Sequence, residues 1–175
     1  MLPTGVLSTE RLILRPIAPE HKAAILSLIS EREVARNLLR VPHPYFDHHF
    51  DEFMAQMAKS TTDAVFSIFL RDEERLCGGI GLHPAPEHHR GELGYWLGIP
   101  FWGRGYATEA ARAVVKYAFE TLKLNRIYAG HFSGNEASGR VLEKIGMRLE
   151  GRQVQHVFRL GEYRDLLLFG MMRRD

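Results

Sequence analysis

The sequence predicts an α/β fold built on a mixed sheet, and three observations carry that prediction. Apolar segments of strand length recur along the chain, several of them paired as hairpins. Helical stripes flank the strands, with two helices crossing over in the second half. Between these, residues 92–108 read E-L-G-Y-W-L-G-I-P-F-W-G-R-G-Y-A-T, a strand, a glycine turn and a helix start in succession. At 175 residues the chain is one domain, 1–175, long enough to bury a core.

The first strand covers 10–17, with Leu12 and Leu14 on one face and Arg11, Ile13 and Arg15 on the other. Pro16 sets it at an edge or a strand end. Pro19 and Glu20 start a helix whose stripe is Ala24, Ile25, Leu28 and Ile29, and a shorter helix covers 31–38. Pro42 and Pro44 break the chain into a loop, and a third helix spans 48–59. Its Phe50, Phe53, Met54 and Met57 suit a core or the roof of a pocket. Residues 64–70 and 76–83 form a hairpin around the charged turn 71–75, and the loop 84–90 leads into residue 92. Strand 126–132, a helix 136–145 capped by Asn135 and closed by Gly146, and a hairpin 148–160 and 164–172 around Gly161 complete the chain.

In the stretch 92–108, Leu93, Tyr95, Leu97 and Ile99 share one strand face, and Glu92, Gly94, Trp96 and Gly98 the other. Pro100 stops the strand. Gly103, Arg104 and Gly105 then open the best-specified helix. Its stripe is Ala107, Ala110, Ala111, Val114, Val115, Ala118, Phe119 and Leu122, with Thr108, Glu109, Arg112 and Lys116 off it. A glycine turn at a helix start offers unpaired N–H groups and the positive end of a dipole, which suits a pyrophosphate; a tight turn without a ligand reads the same way. A P-loop is excluded, because Tyr106 and Ala107 follow Gly105 where Lys and Ser/Thr are needed. A Rossmann fingerprint is excluded by Thr108 at the position of the third small residue.

Composition excludes other classes. A net charge of +2 with scattered Lys and Arg argues against nucleic acid. The longest apolar run, 166–172, is too short for a membrane span. The start M-L-P-T-G has no charged region followed by an apolar core, so no signal peptide is expected and a cytoplasmic location is. Cys77 is the single cysteine and reads as a core thiol. The pairs His48-His49 and His88-His89 lack metal-ligand spacing, so no metal is expected.

Two segments together carry a resemblance. P-F-W-G-R-G-Y-A-T-E-A (100–111) followed by N-E-A-S-G-R-V-L-E-K-I-G-M (135–147) resembles the paired signatures of the GNAT N-acetyltransferases. T-E-R-L-I-L-R-P (9–16) and G-E-L-G-Y-W-L (91–97) resemble their RimJ/RimL-type branch of ribosomal-protein N-terminal acetyltransferases and relatives. The resemblance implies a mixed, mostly antiparallel, splayed sheet of about seven strands with helices on both faces. It implies acetyl-CoA as co-substrate, without a metal, and direct transfer of the acetyl group to a primary amine. A peptide α-amine is the first acceptor class and a small-molecule amine the second. A non-catalytic acyl-CoA-binding module and a transferase of longer acyl groups stay open, as does a homodimer, common in this branch.

By the same resemblance, the pyrophosphate lies on Gly103, Arg104, Gly105, Tyr106, Ala107 and Thr108. The pantetheine arm runs along Leu97, Gly98 and Ile99 beside a bulged, splayed strand, and Asn135 touches it. Ser138 shares a stripe with Val141, Leu142 and Ile145, so its hydroxyl turns toward the sheet; a second capping contact reads equally well. Leu142 stands where many superfamily members carry a tyrosine acid, which passes that role to Ser138 or water. Glu92 is the first candidate base, against the alternative of a strand-end carboxylate in a salt bridge. His83, His131 and His156 are further candidates by strand position.

Overall fold

Leu12 and Leu14 alternate with Ile13 and Arg15, and both leucines are fully buried, which fixes the face the strand turns to the core. The computed structural model describes residues 5–173, so residues 1–4 of the stretch read for a signal peptide lie outside the described residues. In chain order the elements are β1 (Leu7–Ser8), β2 (Leu12–Pro16), α1 (Lys22–Ile29), α2 (Arg32–Ala35), α3 (Asp47–Lys59), β3 (Ala64–Leu70) and β4 (Leu76–Ala85). There follow β5 (Arg90–Leu97), α4 (Tyr106–Glu120), β6 (Arg126–Phe132), α5 (Glu136–Lys144), β7 (Arg148–Arg159) and β8 (Glu162–Met172).

The strands form one eight-stranded sheet in the order β1-β2-β3-β4-β5-β6-β8-β7. The two-residue β1, paired to β2 at Leu7↔Leu14, is the strand the sequence pattern was too short to reveal. All neighbours are antiparallel except β5 and β6. A parallel pair needs a crossover. The crossover is α4, whose alanines Ala110, Ala111 and Ala118 are buried against the sheet.

Helices cover both faces. On one, α4 and α5 pack over Leu12, Leu14, Phe66, Ile80, Leu82, Leu93 and Ile127. On the other, α1, α2 and α3 enclose Phe69 and Leu76, with Ile13 and Trp96 at the margin. Phe50 and Met57 are core there, while Phe53 and Met54 are only half-buried. Among the described residues, no helix is long and apolar enough to cross a membrane.

Several expectations need correction. Ile99 is not in the strand: β5 ends at Leu97, and Ile99–Phe101 is a 3-10 turn. Pro100 suits that turn, since its fixed φ and missing N–H cost least in a first helical turn. No bulge interrupts β5, whose register against β4 runs unbroken from Arg90↔Ala85 to Leu97↔Gly78. Thr108 belongs to the buried face of α4, because the packed stripe is wider than the apolar residues alone suggest. Ala24 is exposed, and α1, which starts at Lys22 after a 3-10 turn over Pro19–His21, buries Ile25 and Ile29 instead. Residues 84–85 extend β4, and the last strand begins at Glu162, with Leu160 and Gly161 turning the hairpin at positive φ.

Candidate active site

The glycine turn presents its donors as the sequence requires. Gly103 and Gly105 take φ of +73° and +81°, conformations that L side chains resist, and Gly105 is the N-cap of α4. Among the described residues, none of the N–H groups of Gly103, Arg104, Gly105, Tyr106, Ala107 or Thr108 is paired within the protein; the ladder resumes with Glu109 donating to the Gly105 carbonyl at 3.1 Å. Those donors, with the helix dipole behind them, form an anion cradle.

A clamp holds this turn to the start of the sheet. The Thr9 hydroxyl and the Arg11 N–H donate to Glu109 Oε1 at 2.6 and 2.8 Å, and Arg11 Nε donates to Oε2 at 2.7 Å. Arg11 Nη1 also donates to the Arg104 carbonyl at 3.0 Å, and its guanidinium lies over the Tyr106 ring. Burial alone would raise the Glu109 pKa, but the hydrogen bonds from Thr9 and Arg11 outweigh it and hold the carboxyl below its ordinary value. Arg11 thereby neutralises an acid that would otherwise repel an anion one turn away. Sequence reading missed this clamp: Thr9 and Arg11 sit in a motif, but their partner is about a hundred residues away.

Beside the cradle the sheet opens. Among the described residues, β5 and β6 pair only at Arg90↔Arg126, Gly91↔Ile127 and Glu92↔Tyr128, and then part. The Gly98 N–H is occupied by the Cys77 carbonyl at 2.9 Å. By strand alternation, the backbone groups of Tyr95 and Leu97 therefore face the opening. The free edge runs along Tyr95 and Leu97, not along Gly98 and Ile99 as expected. Trp102 Nε1 donates to the Leu97 carbonyl at 2.8 Å and so covers one end of that edge.

The two faces of the opening differ. On the α5 side, Asn135 caps the helix by accepting from the Ser138 N–H at 3.4 Å. Ser138 Oγ lies 2.8 Å from the Tyr95 hydroxyl, which also donates to the Ser138 carbonyl at 3.1 Å. The serine thus turns toward the sheet as expected, but its tyrosine partner read from sequence only as part of one strand face with Leu93 and Leu97. Burial pushes the Tyr95 pKa up to about 12, against a smaller lowering from Ser138. Leu142 is fully buried in the core, so this chain offers no hydroxyl at that position.

On the opposite face, Gly94 and Gly130 are exposed on either side of the opening, and a Cβ on Gly94 would meet nothing within 4 Å. Register places His83, Glu92 and Tyr128 in one cross-strand row above this glycine floor, with Gly81 opposite Gly94. Glu92 Oε2 accepts from Arg40 Nη2 at 2.8 Å, so the carboxylate is both ion-paired and half-exposed at the trough. Arg90, over the Tyr128 ring, and Arg126, paired with Glu150, continue the rim. Glu92 and Ser138 therefore stand on opposite faces, separated by the opening.

The remaining candidates fall away from it. His131 is buried with Nδ1 3.0 Å from the Phe132 carbonyl and its Nε2 against Gly139. His156 is exposed on β7. Cys77 is buried, and desolvation pushes its thiol up to about 12, which makes it no nucleophile. His48 stacks on Phe46 and His49 lies tilted against it, and no group of three or more His, Cys, Asp and Glu side chains among the described residues could hold a metal ion.

In sequence and overall fold the chain is similar to known proteins. The family model described as an acetyltransferase (GNAT) domain matches residues 11–148. The uncharacterized N-acetyltransferase YoaA of Bacillus subtilis (strain 168) is 33% identical over 174 residues, covering 96% of this chain and 97% of the relative. The ribosomal protein uS5-alanine N-acetyltransferase of Escherichia coli (strain K12) is 24% identical over 185 residues, covering 99% and 94%. Among solved structures, the spermidine N-acetyltransferase of Vibrio cholerae, in complex with CoA and spermine, superposes with a TM-score of 0.84 at 20% identity, covering 94% of this chain and 96% of that one. The chain therefore belongs to the GNAT family, with a ribosomal-protein N-acetyltransferase among its relatives, and is an N-acetyltransferase.

Proposed function

We propose that this N-acetyltransferase moves the acetyl group of acetyl-CoA directly to a primary amine, with a peptide or protein α-amine as the first acceptor class. The observation that carries the reading is the parting of β5 and β6 between two unlike faces. One holds the unpaired N–H cradle and the Tyr95–Ser138 hydroxyls, the other a glycine-floored polar trough. GNAT enzymes use acetyl-CoA, and the donor and acceptor fit this arrangement from opposite sides.

In this reading the N–H groups from Gly103 to Thr108 bind the pyrophosphate, and the free edge at Tyr95 and Leu97 hydrogen-bonds the pantetheine arm. Asn135 holds Ser138 in place through the α5 cap. Glu92, on the acceptor face, attracts the ammonium of the acceptor. Once the ammonium has lost a proton, its lone pair forms the C–N bond as the C–S bond breaks; the Ser138 hydroxyl protonates the departing thiolate and is restored by the second proton that the nitrogen loses. No enzyme nucleophile is involved, in keeping with the inert Cys77.

The charge around the trough favours a peptide over a polyamine. Arg40, Arg90 and Arg126 stand there beside Glu92 and Glu150, so no excess of acid awaits a polycation. The relative named for the alanine of a ribosomal protein supports the same class.

The test combines binding and turnover. Acetyl-CoA should raise the melting temperature, and Gly105→Trp should abolish that rise. Free thiol should be released with peptides bearing an unblocked α-amine, more than with spermine. No melting shift would sink the cofactor assignment, and preference for spermine would overturn the acceptor class.

A further inference from the structure

The trough contains a second polar device that Glu92 does not use. His83 lies on β4, opposite Glu92 in register. Its Nδ1 is 2.9 Å from Asp63 Oδ1, a carboxylate just ahead of β3. An ionised carboxylate can only accept, so Nδ1 carries the proton of the neutral ring and Nε2 is left as an acceptor.

That Nε2 is aimed along the floor. A Cβ on Gly81 would stand 3.2 Å from it, which places the nitrogen directly over Gly81. Gly81 is the register partner of Gly94, the glycine beside the opening with nothing within 4 Å of its Cβ position. The ring nitrogen is therefore about one strand spacing, roughly 5 Å, from the edge where the acetyl group must emerge. Both side chains remain partly open to solvent, at 34% for His83 and 27% for Asp63.

Building on the acetyl-transfer reading above, we infer that His83, oriented by Asp63, is the general base that deprotonates the acceptor ammonium. An imidazole is, as a class, better matched than a carboxylate to taking a proton near neutral pH. The division of work then follows from position. Glu92, tied to Arg40, holds the ammonium by charge, and His83 Nε2 takes one of its protons. The freed lone pair forms the C–N bond and the C–S bond breaks; the thiolate leaves with the Ser138 proton, and the second proton lost by the acylated nitrogen returns to Ser138 Oγ and restores the hydroxyl. The imidazolium left behind keeps its Nδ1–H on Asp63 and releases its new proton to solvent. The arrangement is an acid–histidine pair of the kind that fixes tautomer and orientation together.

The charged groups facing His83 are Asp63 from the β3 side and Glu92, with Arg40 on it, from the β5 side. Both must be separated from it experimentally. With acetyl-CoA and any free amine that the wild-type protein acetylates, His83→Gln should lower kcat/KM about 10²-fold or more relative to wild type and remove the acidic limb of the pH–rate profile. Its affinity for acetyl-CoA should be unchanged. Asp63→Asn should displace that limb, and Glu92→Gln should raise KM while keeping it. A second readout does not need turnover: long-range proton–nitrogen spectra of the histidines, with His83 assigned from His83→Gln. The wild-type ring should show the Nδ1–H tautomer. Its signals should move on binding CoA joined through an S-acetyl link to the α-amine of a tripeptide, and not on binding CoA alone. A retained acidic limb in His83→Gln, or His83 signals unmoved by the bound conjugate, would overturn the assignment while leaving acetyl transfer standing. Failure of acetyl-CoA to bind at all would instead overturn the reading on which it rests.

Discussion

The hydroxyl of Tyr95 and Oγ of Ser138 stand 2.8 Å apart across the space between β5 and α5, and the tyrosine also reaches the Ser138 carbonyl. Tyr95 has one proton and two acceptors on the same residue. While Ser138 holds its own proton, the tyrosine is free to serve the carbonyl. Once Ser138 gives its proton up, the tyrosine proton can swing to Oγ and stabilise the oxygen left behind. A partly buried tyrosine on the strand thus stands beside the Ser138 hydroxyl in a chain that carries a buried leucine at position 142.

Tyr95→Phe should therefore lower kcat, by about tenfold, with little change in acetyl-CoA affinity. Ser138→Ala should lower it further. If the two hydroxyls act as one unit, the double variant should be no slower than Ser138→Ala alone. Additive losses in steady-state rates would separate them, and full turnover in Ser138→Ala would give the proton to water.

Tyr95 also leaves a signature in alkaline stability. Its folded pKa is raised, to about 12, above the ordinary tyrosine value of 10.0, because burial disfavours the phenolate. The stabilising contribution is thus fully present below pH 10, where both folded and unfolded forms hold the proton. It is lost as pH rises toward 12 and the unfolded chain ionises first. The loss should be about 1–3 kcal/mol. Tyr45 and Tyr117 are shifted in the same direction by burial, so Tyr95→Phe should flatten only part of the decline. Urea unfolding across pH 9 to 12 in both proteins checks it.

How far the sequence carries can be read from these residues. Strand alternation put Glu92 and Tyr95 on opposite faces, the stripe it shares with Val141, Leu142 and Ile145 turned Ser138 toward the sheet, and the glycines of the central turn marked the cradle. Each of those signals is local, spanning a few residues of backbone geometry. The clamp between Arg11 and Glu109, the pair Asp63–His83 and the tie of Glu92 to Arg40 depend on which elements become neighbours. No periodicity encodes that. Ile99 shows the converse: alternation ran on through Gly98, but Pro100 and the burial of Phe101 turned the chain into a 3-10 turn.

The Glu109 clamp should behave as a structural support with a functional readout. Glu109→Gln removes the charge that collects Thr9 and Arg11, and with it the anchor of the turn at Arg104. The expected cost is about 1–3 kcal/mol of stability, with weaker acetyl-CoA binding. The pH dependence has a definite sign. The folded carboxyl titrates below its ordinary value of 4.5, so its contribution is present above that range and lost as pH falls through the depressed one. Glu109→Gln should therefore narrow the gap to wild type in acid, measured by melting temperature between pH 3 and 6. A variant that melts like wild type at neutral pH would show that the clamp carries no load.

Gly94→Val separates the two faces of the opening. A Cβ at Gly94 meets nothing within 4 Å, so the fold has room for the larger side chain, and β-branched residues suit a strand. The methyl groups would fill the trough between the His83–Glu92 row and the exposed Gly130, on the face away from Ser138 and the glycine cradle. The variant should keep its melting temperature and its affinity for acetyl-CoA. It should lose acceptor binding, with KM for the amine rising about tenfold or more, as expected when a well-fitted cleft is filled. Calorimetry with acetyl-CoA and initial rates against amine concentration give the two halves of the result. If affinity for acetyl-CoA fell while the amine KM held, the donor and not the acceptor would occupy the glycine floor.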